Sequence, residues 1–315
     1  ASVAQSRIRL ALAGVIAGIA ALRLLVSIVP DTVYDIDPLT TGFTYAGLGP
    51  AASVFLDALL IIIAACSLEL ERRRRGLDGW LLLLVALPLI PLAWHAWHDA
   101  LDFWRGADWF AGAAAAAALA HLGRSSRCRE FALAIIIGAI VVTAIRGGWQ
   151  VFVEHPATVE HFQEHKADVL SMHGWSEGSR SAEVYERRLR QAEATGWVGF
   201  SNITSGIYGA AAVGLLCLAL LAGRSREQLG TVVGLMLLAI ALAVLIGING
   251  SKGAILATVV ALVILIGFVF PGPTGSRIRT LGGVIVLACA GVAVFAVVVR
   301  GLLPEGFLGE KSLLF

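Results

Sequence analysis

The sequence predicts an all-α, polytopic transmembrane helical bundle, and three patterns lead there. Hydrophobic residues make up 58% of the 315 and charged residues only 15%, at a mean hydropathy of +0.83. A soluble domain of this length needs a larger charged surface. The apolar residues also run in long blocks rather than amphipathic stripes, and blocks of about 18 or more match the ~30 Å hydrocarbon core of a bilayer. Finally, basic clusters recur in every second connection, as the positive-inside rule requires of cytoplasmic loops.

Taken in order, the blocks cover residues 10–29, 51–68, 77–97, 108–122, 131–153, 203–222, 229–249, 253–270 and 281–299. That makes about nine spans. The fourth, rich in alanine, is the weakest by hydropathy, but omitting it would put two later basic clusters outside. Those clusters are Arg7/Arg9, Arg72–Arg75, Arg124/Arg127/Arg129, Arg224/Arg226 and Arg277/Arg279. They place the N-terminus in the cytoplasm and the C-terminus outside. The organisation is then spans 1–5 over residues 1–153, an outer loop with a short helix over 154–196, spans 6–9 over 197–300, and the start of another outer loop at 301–315. Seven of the eight tryptophans (Trp94, Trp97, Trp104, Trp109, Trp149, Trp175 and Trp197) fall at or beyond the outer boundary, as an interfacial belt does. Three of the four cysteines lie inside spans, with no CxxC spacing, so neither a disulfide framework nor a cysteine metal site is expected. The net charge of +2 says little once the orientation is assigned, and no nucleic-acid partner is expected.

Polar residues concentrate at the outer surface. A helix is expected over residues 182–194, with Glu183 four residues before Arg187 and Glu186 four before Arg190, the favoured order for helical ion pairs. Arg188 has no acid at either spacing. Two readings are open for it: an anion ligand, or an interfacial arginine turned to lipid headgroups. The turn Gly247-Ile248-Asn249-Gly250-Ser251-Lys252-Gly253 joins two spans on the same side. Asn-Gly makes the turn, Ser251 is placed to cap the next helix, and that helix start with Lys252 suits a phosphate. The alternative is a plain cap with a snorkelling lysine. Arg23, Asp57, Arg146 and Arg300 lie near the membrane interior, where charges usually face a cavity or a partner. Arg146 and Arg300 join Arg188 and Lys252 on the outer side, which suggests a site for an anionic lipid headgroup. His161-Phe162-Gln163-Glu164-His165 matches the H-x-x-E-H pattern of one class of zinc peptidases. Such a site needs a further ligand on a supporting soluble domain, so no metal is assigned to it.

Three stretches resemble the O-antigen ligase and polymerase family of bacterial membrane glycosyltransferases. They are Glu186-Arg187-Arg188-Leu189 followed by Thr195-Gly196-Trp197-Val198-Gly199-Phe200-Ser201-Asn202; Asn249-Gly250-Ser251-Lys252-Gly253-Ala254; and Gly309-Glu310-Lys311-Ser312-Leu313-Leu314-Phe315. Their order, spacing and outer placement are similar to the family's arginine–glycine–asparagine segment, its serine–arginine–glycine–alanine turn, and its lead-in to a large outer loop. The likeness covers residues 146 to 315. Lys252 stands where the family usually has arginine, and Ser201 where a proline often precedes the asparagine.

The resemblance implies a protein of about twelve spans in the bacterial inner membrane, of which this chain is a fragment, with the catalytic histidine beyond Phe315. It implies transfer of an oligosaccharide from an undecaprenyl-diphosphate carrier to lipid A core or to a growing glycan on the periplasmic face. Arg188, Lys252, Ser251, Asn202, Arg146 and Arg300 are the expected contacts to the carrier's diphosphate, and membrane lipids are the other expected partners. No cofactor is implied, because fixed cations can stabilise a diphosphate leaving group. A transporter or lipid flippase and a non-catalytic membrane subunit are the rival classes. The topology is directly testable: a reporter fused within residues 124–130 should be cytoplasmic, and one within 154–174 periplasmic. Finding both on one side would break the nine-span arrangement.

Overall fold

The computed structural model describes residues 3–26, 50–75, 78–79, 83, 86, 100–198, 201–222 and 229–269. These residues are overwhelmingly helical and contain no strand. Among them, five helices are long and apolar enough to cross a membrane: Val3–Leu25, Ala52–Arg73, Ser126–Glu164, Ser201–Ala222 and Leu229–Asn249. An all-helical membrane protein follows. The expected third span lies almost wholly outside the described residues, and the ninth, with Arg300, lies wholly outside them. The chain divides into two compact units, Ala1–Thr143 and Ala144–Phe315.

The first unit contains α1 (Val3–Leu25), α2 (Pro50–Arg75), α3 (Ala100–Leu122) and most of α4 (Ser126–Trp149). Its core is built from small residues: Ala13, Ala64, Ala111, Ala114, Ala115 and Ala118, with Ile16, Leu60 and Leu122 between them. Without a hydrophobic drive between helices in lipid, close backbone approach is what holds them, and alanine permits it. Alanine is also the best helix former. The alanine-rich block with the weakest hydropathy therefore forms a well-packed helix.

Two sets of ion pairs tie this unit together. Arg9 Nε lies 2.6 Å from Glu71 Oε1, with both side chains buried. Arg23 Nη2 lies 2.5 Å from Asp57 Oδ1 and 2.9 Å from Asp108 Oδ1, and donates to Ser53 Oγ at 3.0 Å. Subtraction of the residue numbers gives 14 from Arg9 to Arg23 and 14 from Asp57 to Glu71. Both stretches are helical, so each is about 21 Å long at 1.5 Å per residue. Antiparallel α1 and α2 thus meet cation to acid at both ends. Nearby, His121 is buried, its Nδ1 donating to Ala117 O (2.9 Å) and its Nε2 accepting from Asp78 N (3.1 Å).

The second unit begins with the end of α4, which runs through a π-helical turn, Gln150–Glu154, into α5 (His155–Glu164). Then come α6 (Lys166–Met172), α7 (Arg180–Leu189), α8 (Ser201–Ala222), α9 (Leu229–Asn249) and α10 (Lys252–Val269). Helix α8 packs on both α9 and α10. A Cβ at Gly209 of α8 would run into Thr258 Oγ1 of α10, so glycine sets that close approach. Gly250, at φ +61°, closes the turn from α9 to α10.

Residues 154–196 differ from the expected loop with one short helix. Three helices, α5, α6 and α7, fold over an apolar cluster of Phe162, Leu170 and Ala182, with Trp175, Tyr185 and Leu189 against it. The helix expected over 182–194 runs Arg180–Leu189 instead, with Ser179 Oγ capping it by accepting from Ala182 N at 3.3 Å. Nor does Glu186 pair with Arg190. It turns to Lys166 on α6, at 3.0 Å, because the cap brings the two helices together. Lys166 also meets Glu177 at 2.9 Å, and its hydrogen bonds to Glu177 and then Glu186 hold its ammonium above the ordinary lysine range.

The buried charges of the first unit generate a stability prediction. Arg23→Met leaves Asp57 and Asp108 without their cation and should lower stability by about 3–5 kcal/mol, the usual result of breaking a buried pair from one side. Adding Asp57→Asn should restore part of the loss. Unfolding midpoints of the purified variants in mixed micelles check this, and an unshifted midpoint for Arg23→Met would sink it.

Candidate functional site

The second unit holds its helical cap, α5–α7, through three consecutive residues, Ala194, Thr195 and Gly196. Asn249, the last residue of α9, accepts from Ala194 N at 2.6 Å and donates to Ala194 O at 3.1 Å. Its Nδ2 also donates to Ser205 Oγ on α8 at 2.9 Å. Gln150, in the π-turn, accepts from Gly196 N at 2.7 Å and donates to Gly196 O at 3.0 Å. Thr204 Oγ1 donates to Thr195 O at 2.7 Å. Two primary amides thus each satisfy the N–H and C=O of one residue in a non-helical segment that turns at Gly196, whose φ is +59°. At the same place a Cβ on Gly147 would press on Ala194 Cβ at 3.3 Å and on the Tyr208 hydroxyl. A side chain there would push the segment away.

Beside this clamp lies an open pocket of about 280 Å³. Gln150, Glu154, His155 and Thr158 form one wall, and Arg188, Leu189, Gln191 and Glu193 the other. His155 Nε2 donates to Leu189 O at 2.8 Å, which ties the end of α7 to the start of α5. Glu154 is occupied by an ion pair to Arg146. Arg188 is exposed on the last turn of α7, and its guanidinium makes no hydrogen bond or ion pair among the described residues. It is the only cation lining the pocket among the described residues.

Not all of the residues singled out in the sequence line this pocket. Arg188 lines the pocket, and Arg146 reaches it only through its partner Glu154. Lys252 is exposed on the first residue of α10. Ser251 is buried just before it, and its Oγ accepts from Ala254 N at 3.4 Å, so the expected cap is formed. Asn202 is exposed at the start of α8. None of these three lines the pocket, and Arg300 lies outside the described residues.

Sequence reasoning passed over Gln150, His155 and the role of Asn249, which it assigned to the turn alone. A signal existed for two of them: Asn249 closes an otherwise apolar span, and Gln150 interrupts one. A polar amide at such a position has to find backbone partners. No protein-family model, curated protein or solved structure matches the chain.

The clamp is testable by itself. Asn249→Ala strands the N–H and C=O of Ala194, both buried, and should cost about 1–3 kcal/mol. Asn249→Asp keeps an acceptor but loses the donor and should behave no better. Hydrogen exchange at Ala194 and Gly196 should quicken in both variants, while exchange in α1–α3 stays unchanged. Unchanged protection at Ala194 would show that Asn249 is not what holds the segment.

Proposed function

We propose that this chain is the membrane core of an O-antigen ligase- or polymerase-like glycosyltransferase. It moves an oligosaccharide from an undecaprenyl-diphosphate carrier to lipid A core or a growing glycan. In this reading the chain lies in the bacterial inner membrane with its N-terminus in the cytoplasm, about nine spans, and the α5–α7 cap in the periplasm. The observation that carries the proposal is Arg188, exposed on the rim of an open pocket with no protein partner among the described residues.

The chemistry supports that assignment. Glycosyl transfer from a polyprenyl diphosphate builds negative charge on the leaving oxygens, and a preorganised cation stabilises it more in the transition state than in the ground state. The arginine fork matches two phosphate oxygens at once. Lys252, at the first turn of α10, adds a point charge beside free helix N–H groups, with Ser251 fixing that helix start. Asn202, which like Lys252 lies outside this pocket's lining, and Arg300 are the remaining proposed contacts to the carrier. Arg146 acts through Glu154, shaping the wall rather than holding phosphate. A space of about 280 Å³ sits near the lower end of small-molecule pockets. It has room for a diphosphate headgroup held by Arg188 and kept clear of the lining carboxylates Glu154 and Glu193, while the glycan and polyprenyl chain extend beyond it. The base that would activate the acceptor hydroxyl is assigned to none of the histidines described above.

The test is glycan transfer by the full-length protein at matched membrane expression. Arg188→Ala should lose on the order of 2–4 kcal/mol of transition-state stabilisation, roughly a thirtyfold to thousandfold fall in rate. Arg188→Lys should recover part of it, and Arg190→Ala, outside the pocket lining, should change little. Equal, mild effects at 188 and 190 would remove the assignment. A transporter or lipid flippase is the second reading, favoured by the Arg23–Asp57–Asp108 cluster between helices. Under it Asp57→Asn abolishes activity and Arg188→Ala leaves it intact.

A further inference from the structure

We propose that His161, Glu164 and His165 form a chelating site for a late first-row divalent metal ion, zinc above all, on the turn that joins α5 to α6. The site is separate from the Arg188 pocket and does not depend on glycan transfer. The three residues stand at i, i+3 and i+4, which puts their side chains on one helix face. One ligand atom from each lies within 4.8 Å of the others, and all three residues are exposed. The two imidazole centroids are 4.5 Å apart.

Several features orient this face. Phe162, between the histidines in sequence, is buried in the cap's apolar cluster, which fixes which side of α5 points outward. His165 Nδ1 bonds His161 O at 3.1 Å. A carbonyl can only accept, so the proton sits on Nδ1 and the neutral ring carries its lone pair on Nε2. This is the arrangement by which metal-binding histidines are commonly aligned. The peptidase pattern called for a ligand on a second scaffold, whereas here Glu164 supplies the third donor from the same turn.

The distances are within reach. Ligands about 2.0–2.1 Å from a tetrahedral zinc lie about 3.4 Å apart. The atoms therefore need to draw together by no more than about 1.5 Å, which rotation of exposed side chains supplies. Two imidazoles and one carboxylate select zinc, copper or nickel over magnesium or calcium. Water takes the remaining position. The bound ion would bridge a break in the helix, because His165 leaves helical geometry at φ −117°, ψ 25° where α5 ends and α6 begins.

The experiment is titration of Zn²⁺ into the chelator-stripped full chain in detergent, with a chromophoric chelator as competitor. One equivalent should bind. His161→Ala and His165→Ala should each weaken binding at least tenfold, since losing a ligand costs no less than the ~10–100-fold of outer-shell changes. Glu164→Gln should weaken it less, and His173→Ala not at all. Helicity by circular dichroism confirms that the variants fold. No uptake by the unsubstituted chain, or equal uptake by the His161→Ala/His165→Ala double variant, would reduce the site to adventitious adsorption and overturn the proposal.

Discussion

The second unit depends on how a short non-helical segment is satisfied beside the ends of its long apolar helices. Residues 194–196 are neither helix nor strand, and Ala194 and Gly196 are both buried. Buried backbone N–H and C=O groups without partners are among the costliest defects a membrane-proximal structure can carry. Asn249 and Gln150 remove that defect from either side, each with one amide. The clamp holds the chain just past α7, where the residues beyond Leu189 leave the helix and meet both amides. It also carries the pocket, because the segment leading into the clamp supplies Gln191 and Glu193.

The π-turn belongs to the same arrangement. Gln150–Glu154 winds wider than the α-helix on either side, and such single turns often accompany functional sites. One short stretch thereby offers Gln150 to the clamp, Glu154 to Arg146 and His155 to the end of α7. The site is supported by a helix that enters the cap without a loop, and rigid elements hold side chains more closely than loops do.

Much of the fold was legible in the sequence because bilayer physics writes in large letters. Length and hydropathy marked the helices at 10–29, 51–68, 131–153, 203–222 and 229–249, and the observed helices overlap each of them. Packing was harder to read. In α9 the buried face carries Ala239, Leu242, Leu245 and Ile246, while the exposed face carries Leu237, Ile240 and Val244. Both faces are apolar, so no periodicity distinguishes them. The cap was legible only in part: its polar composition hid a small core, since Phe162, Leu170, Ala182 and Tyr185 are spread over three helices. The Glu186–Arg190 ion pair was misjudged because spacing along one helix says nothing of a partner on another. Local spacing offered Arg190 to Glu186, and tertiary folding delivered Lys166. Arg188 was singled out correctly as lacking a local acid, but its pocket is made by residues around position 155 that carry no local signature.

The matched spacing of acids and bases on α1 and α2 has a mechanical consequence. With one pair near each end, the two helices behave like a bolt seated at both ends. A slide of even one residue, about 1.5 Å, would stretch both seats together in surroundings that do not solvate the freed charges. Shear between packed helices is one of the commonest ways that domains move, and this pair is locked against it. Motion in the first unit is left to rotations that carry α1 and α2 as a single strut.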